Sequence, residues 1–199
     1  MTLFTPHPPP RVGVLLSGSG RTLQNLIDRQ RRGMLDISIR CVISDRASAY
    51  GLERARRAKL PALVERDPAR IWALLREHGV ELVLLCGYLR LLPIPADYEG
   101  AVLNIHPSLL PKFGGAGFYG DRVHAAVLAA GERLSGCTVH VCDDRYDTGP
   151  VVLQRQVPVE PGDTVETLAA RVFAAECEAY PEAIQRWAAA RVARASEES

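Results

Sequence analysis

The 199-residue chain has almost no excess charge: 24 Lys and Arg stand against 23 Asp and Glu, for a formal net charge of +1. A chain so balanced has no bulk electrostatic hold on a polyanion, so nucleic acid and anionic membranes are not expected as partners. Long apolar runs are also missing. Bursts such as RVGVLL and ELVLLC fall far short of the roughly 18 consecutive apolar residues that a membrane-spanning helix needs. The N-terminus MTLFTPHPPPR has no basic stretch followed by an apolar run, so it is not a secretory signal. Its consecutive prolines read as an extended, flexible leader over residues 1–10, and the cytoplasm is the expected location. The five cysteines (Cys41, Cys86, Cys137, Cys142 and Cys177) are odd in number and form no C-x-x-C pair. They read as small core residues in a reducing compartment, with no metal site and no dithiol chemistry expected.

What is present is a globular composition, 47% apolar and 24% charged, enough for one core in one domain over residues 11–192, with a flexible tail over 193–199. From Arg11 the chain alternates short apolar runs with longer amphipathic stretches: RVGVLL, Thr22 to Arg32, ISIRCVIS, Gly51 to Lys59, ALV, Pro68 to His78, ELVLLC. Strands that are apolar throughout need cover on both faces. The expected fold is therefore α/β, a Rossmann-like three-layer sandwich whose mostly parallel, twisted sheet has helices on both faces. Asp67-Pro68 reads as an N-cap with proline at the first helical position. Asp163 with Glu166 reads as a capping box opening a long C-terminal helix. After Tyr98 the alternation gives way to the Pro- and Gly-rich stretch AVLNIHPSLLPKFGGAGFYG. GCTVHVC and PVVLQRQVPV then flank the turn DDRYDTG and predict an antiparallel C-terminal addition to the sheet.

Two features point to chemistry. The first strand runs into SGSGRTLQNLI, where Gly18 and Gly20 permit a sharp turn and a close approach, and the following helix offers its free N–H groups to an anion. A dinucleotide fingerprint wants a small residue where Leu23 stands, and a P-loop wants a Gly-Lys-Ser/Thr ending that is absent. A phosphate on a smaller molecule fits better; a purely structural glycine turn is the competing reading. The second feature is AVLNIH, where Asn104 and His106, one residue apart, share a strand face at the edge where doubly wound proteins bind ligands. An amide beside an imidazole can stabilise an oxyanion. Ser108 is not in a nucleophile elbow, so the attacking group is expected to come from a substrate in acyl transfer between two bound molecules. A carboxylate that keeps His106 protonated is sought among Asp143, Asp144 and Asp147. His140 reads as a core histidine, and His124 falls in a helical pattern.

These residues resemble the folate-dependent formyltransferases, through SGSGRTLQNLI, SDRASAYGLERARRAKLP, GYLRLLP, LNIHPSLLPKF, SGCTVHVCDDRYDTGPVVLQ and RVFAAECEAYP, from about Arg11 to Trp187. The glycine loop and the short length narrow the resemblance to the phosphoribosylglycinamide formyltransferase family of purine (IMP) biosynthesis. That resemblance implies transfer of a formyl group from 10-formyltetrahydrofolate, as cosubstrate, to the amine of glycinamide ribonucleotide. It implies Asn104, His106 and Asp147 as catalytic residues, with His106 the proton donor and Asp147 raising its pKa. It further implies Gly20, Arg21 and Thr22 at the substrate phosphate and Glu176 at the ribose. The folate falls to Leu89, Arg90, Leu91, Leu92, Asn104 and the turn Asp143, Asp144, Arg145, Tyr146 and Asp147, with Arg66 as the arginine before the third helix. The expected partners are these two small molecules, in a monomer or homodimer. The family usually has Ser-Asn where this chain has Arg21-Thr22, and often His where it has Cys177. The rivals are formyltetrahydrofolate deformylase, whose usual N-terminal regulatory domain a leader of this length does not supply, and a non-catalytic phosphate-binding module.

Overall fold

The computed structural model describes residues 8–197. Five helices and seven strands follow in the order β1 (Arg11–Leu16), α1 (Arg21–Arg31), β2 (Ser38–Ser44), α2 (Tyr50–Arg57), β3 (Ala62–Val64), α3 (Pro68–Glu77), β4 (Leu82–Leu85), β5 (Val102–His106), α4 (Asp121–Ala129), β6 (Leu134–Val141), β7 (Val151–Pro158) and α5 (Val165–Glu197). The seven strands form one sheet in the order β3-β2-β1-β4-β5-β6-β7. Pairing is parallel from β3 to β5 and antiparallel for β5–β6 and β6–β7.

The two-residue period of the strands divides the apolar runs between two cores. On one face Val12, Val14 and Leu16 of β1 and Leu82 and Leu84 of β4 pack with Leu23 and Leu26 of α1, Leu52 of α2, and Leu168, Val172 and Tyr180 of α5. On the other, Leu15, Val83 and Leu85 pack with Ile71, Trp72 and Leu75 of α3. Cover on both faces is what continuously apolar strands require. All five cysteines are free, and burial pushes the Cys41 and Cys137 thiols up to about 12, so both behave as core residues.

Helix starts follow local chemistry, with one correction. Asp67 caps α3, its side chain accepting from the Ala69 N–H with Pro68 in the first turn. The expected Asp163–Glu166 capping box is instead a Thr164–Thr167 pair: the Thr167 hydroxyl accepts from the Thr164 N–H at 2.9 Å and the Thr164 hydroxyl from the Thr167 N–H at 3.3 Å. Asp163 is drawn away by the Arg171 guanidinium at 2.6 and 3.0 Å. Pro181 lies inside α5 and has no N–H to give the carbonyl four residues back. That carbonyl, of Cys177, accepts from Asn25 Nδ2 at 3.0 Å, so the proline frees an acceptor that ties α1 to α5. The helix runs on to Glu197. Residues 193–197, expected in a tail, are therefore helical, while 198–199 and most of the leader, 1–7, lie outside the described residues.

From β1 the chain turns to β2 on one side, and from β4 to β5 on the other. The loops leaving β1 and β4 therefore diverge and open a crevice at the carboxyl edge of the sheet. They are tied at its floor, where the Ser17 N–H donates to Gly87 O at 3.0 Å and the Leu89 N–H to Ser17 Oγ at 3.1 Å.

Candidate active site

The crevice opens into a cavity of about 530 Å³. One end is built by the loop after β1. Gly20 has φ +70°, and a Cβ there would come within 2.5 Å of Gly51 Cα, so only glycine brings α1 this close to α2. No side chain caps α1 and no acidic residue occupies its first turn, so its N-terminal N–H groups face the cavity uncapped. Arg54 Nε braces the loop by donating to Ser19 O at 2.9 Å. Gly20, Arg21 and Thr22 line this end together with Ala169, Phe173 and Glu176, which recur at helical spacing along one stripe of α5. Burial pushes the Glu176 carboxyl up to about 7, against a smaller pull downward from the Arg21 charge.

At the centre lie the side chains that β5 places on one face. His106 is 4% exposed. Its Nε2 lies 2.8 Å from Phe113 O, which fixes the proton on that nitrogen and leaves Nδ1 facing Asp147 Oδ2 at 3.4 Å. Asn104 Nδ2 donates to Asp147 Oδ1 at 3.3 Å and lies 3.1 Å from His140 Nε2. His140 Nδ1 is 3.1 Å from Val141 O, and its Nε2, 3.5 Å from Asp147 Oδ1, faces both the amide and the carboxylate. Asp147 takes a further N–H, from Gly115, at 2.9 Å. Its residue adopts φ +57°, a left-handed turn position that aims the carboxylate inward.

Electrostatics revise the expectation for His106. Burial, the larger effect, lowers its pKa below 6.5, while Asp147 and the Phe113 carbonyl push it upward without prevailing. Burial would raise the Asp147 carboxyl, but hydrogen bonding with His140, the neighbouring His106 imidazole and the Gly115 N–H outweigh it and hold Asp147 below its ordinary range. Burial thus favours a neutral imidazole at His106 beside the Asp147 carboxylate.

The other end is formed by Leu89, Arg90, Leu91 and Leu92 after β4, and by Asp143, Arg145, Tyr146 and Asp147 in the turn after β6. Asp143 shapes that turn, accepting from the Arg145 N–H at 2.9 Å and the Thr148 hydroxyl at 2.8 Å. Two expected residues are not brought to the cavity wall. Asp144 is exposed on the outside of the turn, and Arg66 donates its Nε to Asp45 O at 2.6 Å, away from the lining.

The structure adds residues that sequence reasoning missed. His140, read as a core histidine, faces Asn104 directly across the β5–β6 pairing; only the antiparallel register could reveal this. The Phe113 carbonyl and Gly115 N–H act through the backbone and leave no side-chain signal. Behind them Thr138 holds the proline loop, its hydroxyl donating to Ser108 O at 2.7 Å and accepting from the Leu110 N–H at 3.0 Å. His124, on α4, is buried and lines the cavity. Among the described residues no group of His, Cys, Asp and Glu is arranged to hold a metal ion, and no helix is long and apolar enough to cross a membrane.

The formyl transferase family profile matches residues 10–184. The chain is 38% identical to the chloroplastic phosphoribosylglycinamide formyltransferase of Vigna unguiculata over 88% of its length, and spans 60% of that longer protein. It is 38% identical to the phosphoribosylglycinamide formyltransferase of Haemophilus influenzae, covering 86% of this chain and 84% of the relative. Among solved structures, glycinamide ribonucleotide transformylase 1 from Symbiobacterium toebii superimposes with a TM-score of 0.84 at 43% identity, over 92% of this chain and 90% of that one. A formyltetrahydrofolate deformylase from Pseudomonas syringae is more distant, at 26% identity and a TM-score of 0.76, with 60% of its chain covered.

Proposed function

The chain belongs to the formyl transferase family, and from that premise we propose that it transfers the formyl group of 10-formyltetrahydrofolate to the amine of glycinamide ribonucleotide in purine biosynthesis. The products are formylglycinamide ribonucleotide and tetrahydrofolate. One observation carries the reading: a single cavity joins an uncapped helix N-terminus, suited to a phosphate, to an end where Leu89, Leu91, Leu92 and Tyr146 stand beside Arg90 and Arg145, suited to a folate and its carboxylate tail, with Asn104, His106 and Asp147 between them. Gly20, Arg21 and Thr22 then bind the phosphate and Glu176 the ribose. Leu89 to Leu92 and the turn Asp143 to Asp147 surround the folate. The deformylase reading shares the catalytic centre but has no use for the phosphate end.

In the reaction the amine nitrogen forms a bond to the formyl carbon, and the carbonyl oxygen becomes an oxyanion. An N–H of Asn104, released from His140 or Asp147, stabilises that oxyanion. The neutral His106 takes the proton shed by the amine at Nδ1 and becomes an imidazolium, which ionised Asp147 stabilises. It then delivers the proton to N10 of the folate as the carbon–N10 bond breaks. His106 thus serves as base and then acid, which agrees with a pKa lowered by burial better than a permanently protonated donor does. The enzyme is expected to act in the cytoplasm, as a monomer or homodimer.

The test is consumption of 10-formyltetrahydrofolate, followed by absorbance, with and without glycinamide ribonucleotide. Turnover only with the nucleotide supports the transferase. Consumption without an amine makes the chain a deformylase, and no consumption in either arm leaves a non-catalytic phosphate binder.

A further inference from the structure

At the phosphate end, the Arg21 guanidinium lies over the Phe173 ring, its Cζ 4.0 Å from the centroid. Glu176 stands one helical turn beyond Phe173 on the same stripe of α5, and all three line the cavity. Arg21 is exposed and Glu176 half-buried at the same end of the cavity, and opposite charges so placed attract each other. Yet no ion pair joins Arg21 to Glu176 among the described residues, although the Arg21 charge is felt at Glu176. The aromatic face supplies the competing attraction. A planar guanidinium stacks on a ring and keeps its N–H edge open for a bidentate acceptor, which a flexible ammonium cannot do.

We propose that Phe173 is a positioning residue for phosphate recognition: its ring holds Arg21 away from Glu176, so that the guanidinium stays free for a phosphate monoester dianion at the N-terminus of α1. The site thereby gains a fixed charge, and Glu176 remains available to a hydroxyl of the same ligand. This inference rests on the proposed nucleotide end of the cavity but not on the formyl chemistry, so the two can fail separately.

The probe is ribose 5-phosphate, titrated calorimetrically into the full chain without any folate. Phe173→Leu, which keeps apolar volume but removes the aromatic face, is expected to weaken binding roughly two- to fivefold, the scale of a cation–π contact at an exposed guanidinium. Phe173→Tyr should bind within about twofold of the parent. Adding Glu176→Gln to Phe173→Leu should recover most of the loss when the probe is inorganic phosphate, which has no ribose hydroxyl for Glu176 to hold, because the competing carboxylate is gone. Steady-state kinetics give a second readout: the KM for the nucleotide should rise in Phe173→Leu while kcat and the KM for the folate donor hold, which also shows that the variant is folded. The proposal is overturned if Phe173→Leu binds ribose 5-phosphate like the parent, or if Glu176→Gln fails to restore inorganic phosphate binding to it. If the parent binds ribose 5-phosphate as described but never consumes the formyl donor, the transferase reading fails and this inference stands.

Discussion

At the N-terminal edge of the sheet, Arg11 and Arg191 both reach Glu81, and Arg76 grips Asp97 with two bonds of 2.8 and 2.9 Å. At the carboxyl edge, Arg21, Arg90 and Arg145 line the cavity with no ion pair to any carboxylate among the described residues. The same sheet thus carries neutralised charge at one end and available charge at the other. Beside the cavity, Asp147 and Phe113 hold left-handed conformations, a local strain that surrounding hydrogen bonds must offset. Charge that is paired steadies a fold slightly. Charge left open, beside a buried imidazole and an uncapped helix, is useful only when a ligand arrives.

The comparison would break most visibly at the centre of the cavity. His106→Ala and Asp147→Asn should each lower kcat by about 10³-fold, the scale of a general acid–base contribution, while the KM for the nucleotide stays within a few-fold of the parent. Full activity in both would remove the carboxyl edge from the chemistry. A smaller effect is expected from Glu176→Gln on stability. Glu176 ionises near pH 7 in the folded chain against 4.5 ordinarily; the raised value means that its favourable share is present at acid pH and is lost as the pH climbs through 7. The Gln variant should therefore gain on the order of 2 kcal/mol over the parent at pH 8.5 relative to pH 5, measured by urea denaturation at the two values.

The pH profile sharpens the comparison further. Because burial holds His106 below 6.5 and the neutral form accepts the amine's proton, kcat should rise with pH along a limb centred below 6.5 and then level off. A limb above 6.5 would mean that Asp147 outweighs burial once substrate is bound. The smallest effect belongs to the opposite edge. Burial alone would raise the Glu81 carboxyl, but bonds from Arg191 and Arg11 hold it near 2. Its contribution is present above pH 4.5 and fades as the pH falls toward 2. Glu81→Gln should cost no more than about 1 kcal/mol at pH 7 and leave kcat and both KM values unchanged.

Much of this was legible in the linear chain because it depends on local rules. The apolar runs from Arg11 to Cys86 place the parallel strands and the helices between them, the Asp67-Pro68 start holds, and the spacing of Asn104 and His106 puts both on one strand face. The glycine loop could be located for the same reason. Less legible was whatever depends on two segments meeting. Asp163 looked like the cap of α5 until Arg171, eight residues on, took it, and Arg66 looked available until the Asp45 carbonyl claimed it. No pattern in the sequence distinguishes Phe173 from any other apolar residue of α5.

The sequence by itself determined which faces are apolar, where the backbone can turn sharply, and that Asn104 and His106 project together, since these follow from side-chain period and backbone freedom within a few residues. Tertiary structure alone decided that His140 completes the cluster, that a carbonyl of the proline loop selects the His106 tautomer, that His106 is neutral rather than charged, and that Arg21 rests on a ring instead of on a carboxylate. Each of these is a contest between partners far apart in the chain, or between burial and charge, and its outcome depends on distances and solvent exposure that exist only once the chain has folded.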